Sequence, residues 1–184
     1  DVCSSDLDPT GDTMMDALAR KGLATIGVGK ISDIFAGRSI SRTLGINKDN
    51  VDGMEKTLKL MDEDFTGLAF VNLVDFDMQY GHRRDIDGYA KASTVFDRQL
   101  GEFMAKMKDD DLLMITADHG CDPGAPGTDH TREYVPLLMY GKHVKAGLNL
   151  GTYPTFAMIG ATISDIFGAD LYTKGESLLP RIIE

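Results

Sequence analysis

Apolar positions along this chain recur with helical spacing in some stretches and run without interruption in others. Met14, Met15, Leu18 and Ala19 fall on one helix face within residues 13–21, with Asp12 or Thr13 as cap and Gly22 as stop. Val51, Met54, Leu58 and Met61, spaced by 3, 4 and 3, predict a second amphipathic helix over 51–62. A stripe from Tyr89 through Ala92, Val95, Phe96, Leu100, Phe103 and Met104 to Met107 predicts a long helix over 88–108, and 155–167 reads as a closing helix. Between them lie short apolar runs at 23–28, 67–74, 111–117 and 135–140, each expected to be a strand. Pro136 pushes the last of these toward a sheet edge or a strand start. Residues 29–41 and 75–85 read as loops, and 118–131 as a Gly/Pro-rich loop.

Strands that alternate with helices are the signature of βαβ units, in which a mostly parallel sheet is flanked by helices. One α/β domain is expected, without internal repeat or low-complexity linker. Residues 1–10 are polar, rich in Ser and Asp, and begin without Met. They are expected to be a non-native or disordered leader, with 11–184 the C-terminal part of a longer protein's core domain.

Charge narrows the partners. Nineteen Lys and Arg against 29 Asp and Glu leave a net charge of −10 with no basic cluster. Nucleic acids and anionic membranes both call for Lys/Arg patches, so neither is an expected partner. No apolar run approaches the roughly 20 residues that span a bilayer. Cys3 and Cys121 give no disulfide framework, and with ten Met they fit a reducing, cytoplasmic compartment.

In a parallel sheet, ligands collect where the strands end and the connecting loops open. The 67–74 run leads into Asp75, Asp77 and His82, and the 111–117 run into Asp118 and His119. His130 follows in the Gly/Pro-rich loop, so three of the four histidines sit near a strand end, each close to an Asp. Carboxylate oxygen with imidazole nitrogen is the donor mix for Mn²⁺ or Zn²⁺, whereas Ca²⁺ prefers oxygen alone. Asp77, His82 and His130 can form one three-ligand site, and Asp118 with His119 part of another. Two metals about 3.5–4 Å apart would clamp a transferring phosphoryl group. Asp85, Asp87, Asp109, Asp110, Asp111 and His143 read as caps or surface residues, and Cys121 as a small loop residue.

VNLVDFDMQYGHRRD and, further on, LLMITADHGCDPGAPGTDHTREYVPLL resemble the C-terminal core of the phosphopentomutase family. That family lies within the alkaline-phosphatase-like binuclear metalloenzymes. GVGKISDIFAGRSI resembles its upstream segment, so the resemblance runs from about Thr13 to the end. The DHG and D-x-x-x-x-H elements indicate only the superfamily; GHRRD and GTDHTREYVP are more specific. The resemblance implies interconversion of (deoxy)ribose 1-phosphate and 5-phosphate in nucleoside catabolism, two Mn²⁺ ions, and a bisphosphorylated sugar as activator. It implies Asp77, His82 and His130 as ligands of one metal and Asp118 and His119 as ligands of the other, with Asp75 in support. A sixth ligand, an Asp, and the Thr nucleophile are expected upstream of this chain, which alone is then expected to be inactive; the protein is expected to be a monomer. Lys30, Arg83, Arg84 and Arg132 are candidate contacts to phosphate or sugar, since guanidinium forks suit phosphate oxygens. The rival readings are a phosphatase or cofactor-independent phosphoglycerate mutase of the same superfamily, and a non-catalytic metal-binding fragment.

Overall fold

The computed structural model describes residues 8–171 and 173–183. Most of the expected leader, and Cys3 with it, lies outside the described residues. Of that leader, Pro9 is tied in by its carbonyl, which accepts from Arg38 at 3.1 Å. The chain divides into two compact units.

The first unit takes in the described residues of Asp1–Gly45, Asp64–Val71 and His143–Glu184. Helix α1 (Met14–Arg20) starts at a reciprocal cap, in which Thr13 accepts from the Asp16 amide while Asp16 accepts from the Thr13 amide. Strand β1 (Ala24–Val28) follows, then the short helix α2 (Ile31–Ile34) inside the expected 29–41 loop, then β2 (Arg42–Thr43). β1 is flanked by β2 and by β3 (Gly67–Val71), both parallel, with Ile26 opposite Arg42 on one side and Ala69 on the other. Four of the five β1 residues are buried, as a central parallel strand covered on both faces requires. Met15, Leu18, Val28, Leu178 and Ile182 form the core. Thr25 and Thr162, fully buried, keep their hydroxyls satisfied, through Ser39 and Ser41 and through Met158 and Leu178 respectively.

The second unit takes in Ile46–Glu63 and Asn72–Lys142. Helix α3 (Asn50–Leu60) buries Asn50, Gly53, Met54, Thr57 and Leu60, a face rotated from the expected Val51/Met54/Leu58/Met61 stripe. The rotation follows from hydrogen bonding. Asn50 donates its amide to Asp75 at 2.7 Å and accepts the Asp75 amide at 3.0 Å, which turns this polar residue inward. The long helix α4 (Ile86–Lys106) begins two residues before the expected start, capped by Asp85. β4 (Leu113–Thr116) and β5 (Leu137–Tyr140) form a two-stranded antiparallel sheet. They are the antiparallel part of an otherwise parallel pattern, because the chain from 117 to 136 returns as a hairpin rather than crossing over through a helix. Two further helices, α5 (Ala157–Ile166) and α6 (Leu179–Ile182), belong to the first unit, and α6 has no counterpart in the sequence expectations.

Candidate metal centre

The expected loop at 75–85 is instead a π-helical turn over Phe76–Gly81, with residues 82–85 linking it to α4. This correction explains the spacing of its two candidate donors. Five residues along an α-helix rotate a side chain by about 140° from the first, since each residue turns about 100°. A π turn closes from i to i+5, and here the His82 amide donates to the Asp77 carbonyl at 3.0 Å. The two side chains thereby meet, with His82 Nε2 at 3.2 Å from Asp77 Oδ1.

His130 reaches the same oxygen from the loop after β4, its Nε2 lying 3.4 Å from Asp77 Oδ1. His119 stacks on His130 with ring centroids 3.6 Å apart, and His82 stands 4.9 Å from His130 on the same measure. Backbone carbonyls orient two of the rings. Thr128 O pairs with His82 Nδ1, and Gly120 O lies 3.2 Å from His119 Nδ1. Each ring that gives Nδ1–H to a carbonyl keeps the Nε2 lone pair for a metal.

Two overlapping sets of three donors result, each with its donor atoms within 4.8 Å of one another: Asp77, His119 and His130, and Asp77, His82 and Cys121. Asp77 is common to both. The structure thus brings Asp77, His82, His119 and His130 together. Asp118 stands outside both sets, its side chain 78% exposed and its Oδ2 3.7 Å from His119 Nε2.

Cys121 is the donor that the sequence reading set aside, although it directly follows the D-H-G run. Its position is fixed by Gly81, where a Cβ would lie 2.2 Å from the sulfur. Burial first, and then the neighbouring Asp77 carboxylate, push the Cys121 thiol up to about 11. The loop carrying His130 is tied back to the D-H-G run by a Gly120–Thr131 bridge and by the Thr131 hydroxyl, which donates to Glu133 at 2.6 Å and accepts from the Asp122 amide at 2.8 Å. Gly120 leaves space for Glu133, whose carboxylate oxygen would be 2.2 Å from a Cβ there. Thr131 and Glu133 were legible only as part of the T-R-E run.

A cation fits this donor set on one observation above all. Asp77 Oδ1 is buried and has no hydrogen-bond partner, although two imidazole nitrogens lie within 3.4 Å. Orphaned buried oxygens are costly, and a divalent cation among the same nitrogens would satisfy this one. The candidate substrate contacts are spread more widely. Arg83 is exposed and donates to the Met78 carbonyl at 3.2 Å, and Arg132 is exposed beside His130 in sequence. Arg84 is exposed and holds a left-handed backbone conformation, φ 56°. Lys30 precedes α2 in the other unit and is partly buried.

A family model described as the metalloenzyme superfamily matches residues 20–171. Among curated proteins, the chain is 53% identical over 178 residues to the phosphopentomutase of Lachnoclostridium phytofermentans, covering 97% of this chain and 45% of that protein. It is 51% identical over 177 residues to the phosphopentomutase of Acetivibrio thermocellus, covering 96% of this chain and 45% of the relative. With the phosphopentomutase of Carboxydothermus hydrogenoformans the identity is 55% over 164 residues, 89% of this chain and 42% of the relative. The chain thus spans under half the length of these relatives.

Proposed function

The chain belongs to the metalloenzyme superfamily, and from that premise we propose that it is part of a phosphopentomutase, which moves a phosphoryl group between the 1- and 5-oxygens of a pentose. The observation that carries this reading is identity of about half over nearly the whole chain with proteins of that name, in a segment that contains the Asp77 donor cluster. The ribose or 2-deoxyribose phosphates, the setting in nucleoside catabolism and the cytoplasmic location belong to the proposal.

Asp77, His82, His119 and His130 would hold the metal, with Asp118 as a further ligand beside His119. We assign two Mn²⁺ ions, which would neutralise charge on the phosphoryl oxygens, the main demand of phosphoryl transfer. The rest falls to this chain's own groups. Asp77 presents its carboxylate at the meeting point of the two donor sets. The Thr128 and Gly120 carbonyls fix the orientation of His82 and His119. Arg83, Arg84 and Arg132, near the donors in sequence, would receive phosphate or sugar oxygens, and Lys30 is the fourth candidate. In this reading the Thr nucleophile and the sixth ligand lie in the part of the enzyme outside residues 1–184, and the activating bisphosphate primes that Thr.

A substrate panel tests the reading. The whole protein with Mn²⁺ and a pentose bisphosphate should convert ribose 1-phosphate to ribose 5-phosphate and leave phosphoglycerates and p-nitrophenyl phosphate unchanged. Turnover of phosphoglycerates or release of free phosphate instead would favour the rival superfamily activities.

A further inference from the structure

The second donor set has a chemistry that the carboxylate–imidazole set lacks. Asp77, His82 and Cys121 offer one oxygen, one nitrogen and one sulfur within 4.8 Å of one another. Around a tetrahedral Zn²⁺, bonds of 2.0–2.2 Å to oxygen and nitrogen and about 2.3 Å to sulfur place neighbouring donors roughly 3.3–3.7 Å apart. The Asp77–His82 pair already stands at 3.2 Å. The His82 ring is oriented by Thr128, and the sulfur is held by the space over Gly81. Only small closure by Cys121 is then needed.

We propose that Asp77, His82 and Cys121 form a thiophilic cation site, selective for Zn²⁺ or Cd²⁺, that overlaps the Asp77/His119/His130 set and competes with it for the shared carboxylate. Sulfur ligands favour Zn²⁺ and softer ions, whereas Mn²⁺ stands lowest in the divalent series and gains little from a thiolate. As the sulfur–metal bond forms, the thiol proton leaves to solvent, so charge and atoms balance without a redox partner. The site gives the protein a route by which Zn²⁺ or Cd²⁺ displaces the hard cation through Cys121. The proposal stands on donor geometry and does not depend on which phosphate ester the protein turns over.

Co²⁺ titration of the purified protein reads the site directly, because Co²⁺ bound to a thiolate shows an intense sulfur-to-metal charge-transfer band in the near ultraviolet. A Cys3→Ser background removes the other thiol within residues 1–184. The band should appear in Cys3→Ser and vanish in Cys3→Ser/Cys121→Ser. Zn²⁺ affinity should fall at least about tenfold on Cys121→Ser, and Mn²⁺ affinity should change less than about twofold. Cys121→Ala, checked by circular dichroism for an unchanged fold, should behave as Cys121→Ser does. Visible Co²⁺ ligand-field bands without a thiolate band, or equal Zn²⁺ affinity with and without the Cys121 sulfur, would overturn the proposal.

Discussion

Asp16 shows how much a single buried carboxylate can do when its surroundings are polar. Burial alone would raise its pKa, yet hydrogen bonds from Ser39, the Thr13 amide and hydroxyl, and Arg38 outweigh burial and hold the carboxyl at about 2, against 3.8 unperturbed. A carboxylate whose folded pKa is depressed contributes stability above its unfolded pKa and loses it as pH falls through the folded value. The contribution here is about 2 kcal/mol, present above pH 4 and lost toward pH 2. Urea unfolding at pH 5 and pH 2 should show that loss in the wild type and a correspondingly smaller one in Asp16→Asn. Equal pH dependence in the two proteins would mean the network does not hold Asp16 ionised. At the other unit's donor cluster, His82→Ala should weaken Mn²⁺ binding by at least about tenfold, read by calorimetry, with activity of the whole protein partly restored at high Mn²⁺. Unchanged affinity would remove His82 from the ligand set.

The π-helical turn is the element on which the centre depends, and it was not legible in the sequence. Residues 75–85 carry five Asp or Arg among eleven positions, so neither period of hydrophobicity rises above the polar background. What was legible was the chemistry: Asp77, His82, His119 and His130 stood out by type and placement, and the structure brings their side chains together. Cys121 was passed over because its role comes from packing against Gly81, a contact between residues forty apart that no local pattern encodes. Gly81→Ala tests that contact. The added Cβ would meet the Cys121 sulfur at 2.2 Å and the Phe76 carbonyl at 3.0 Å, so the substitution should destabilise by about 1–3 kcal/mol in chemical denaturation. Combining it with Cys121→Ala should recover part of the loss. Additive losses in the double variant would show that the sulfur does not fix this turn.

Across the whole chain, the alternation of apolar runs and helices carried the α/β class and the parallel β1–β3 pairing. The β4–β5 hairpin was missed because a long Gly/Pro-rich connection reads alike whether it crosses over or turns back. Among the described residues no helix is long and apolar enough to cross a membrane. Two donor sets that share Asp77 lie in one unit, while Lys30 and the Asp16 network lie in the other. The central claim is that Asp77 anchors a metal centre for pentose phosphate isomerisation, and phosphorus NMR of the whole protein tests it most directly. With Mn²⁺ and a pentose bisphosphate, the wild type should replace the ribose 1-phosphate resonance with that of ribose 5-phosphate, and neither Asp77→Asn nor residues 1–184 alone should do so at an appreciable rate. Robust conversion by Asp77→Asn, or a resonance of free phosphate in place of the 5-phosphate, would contradict the account.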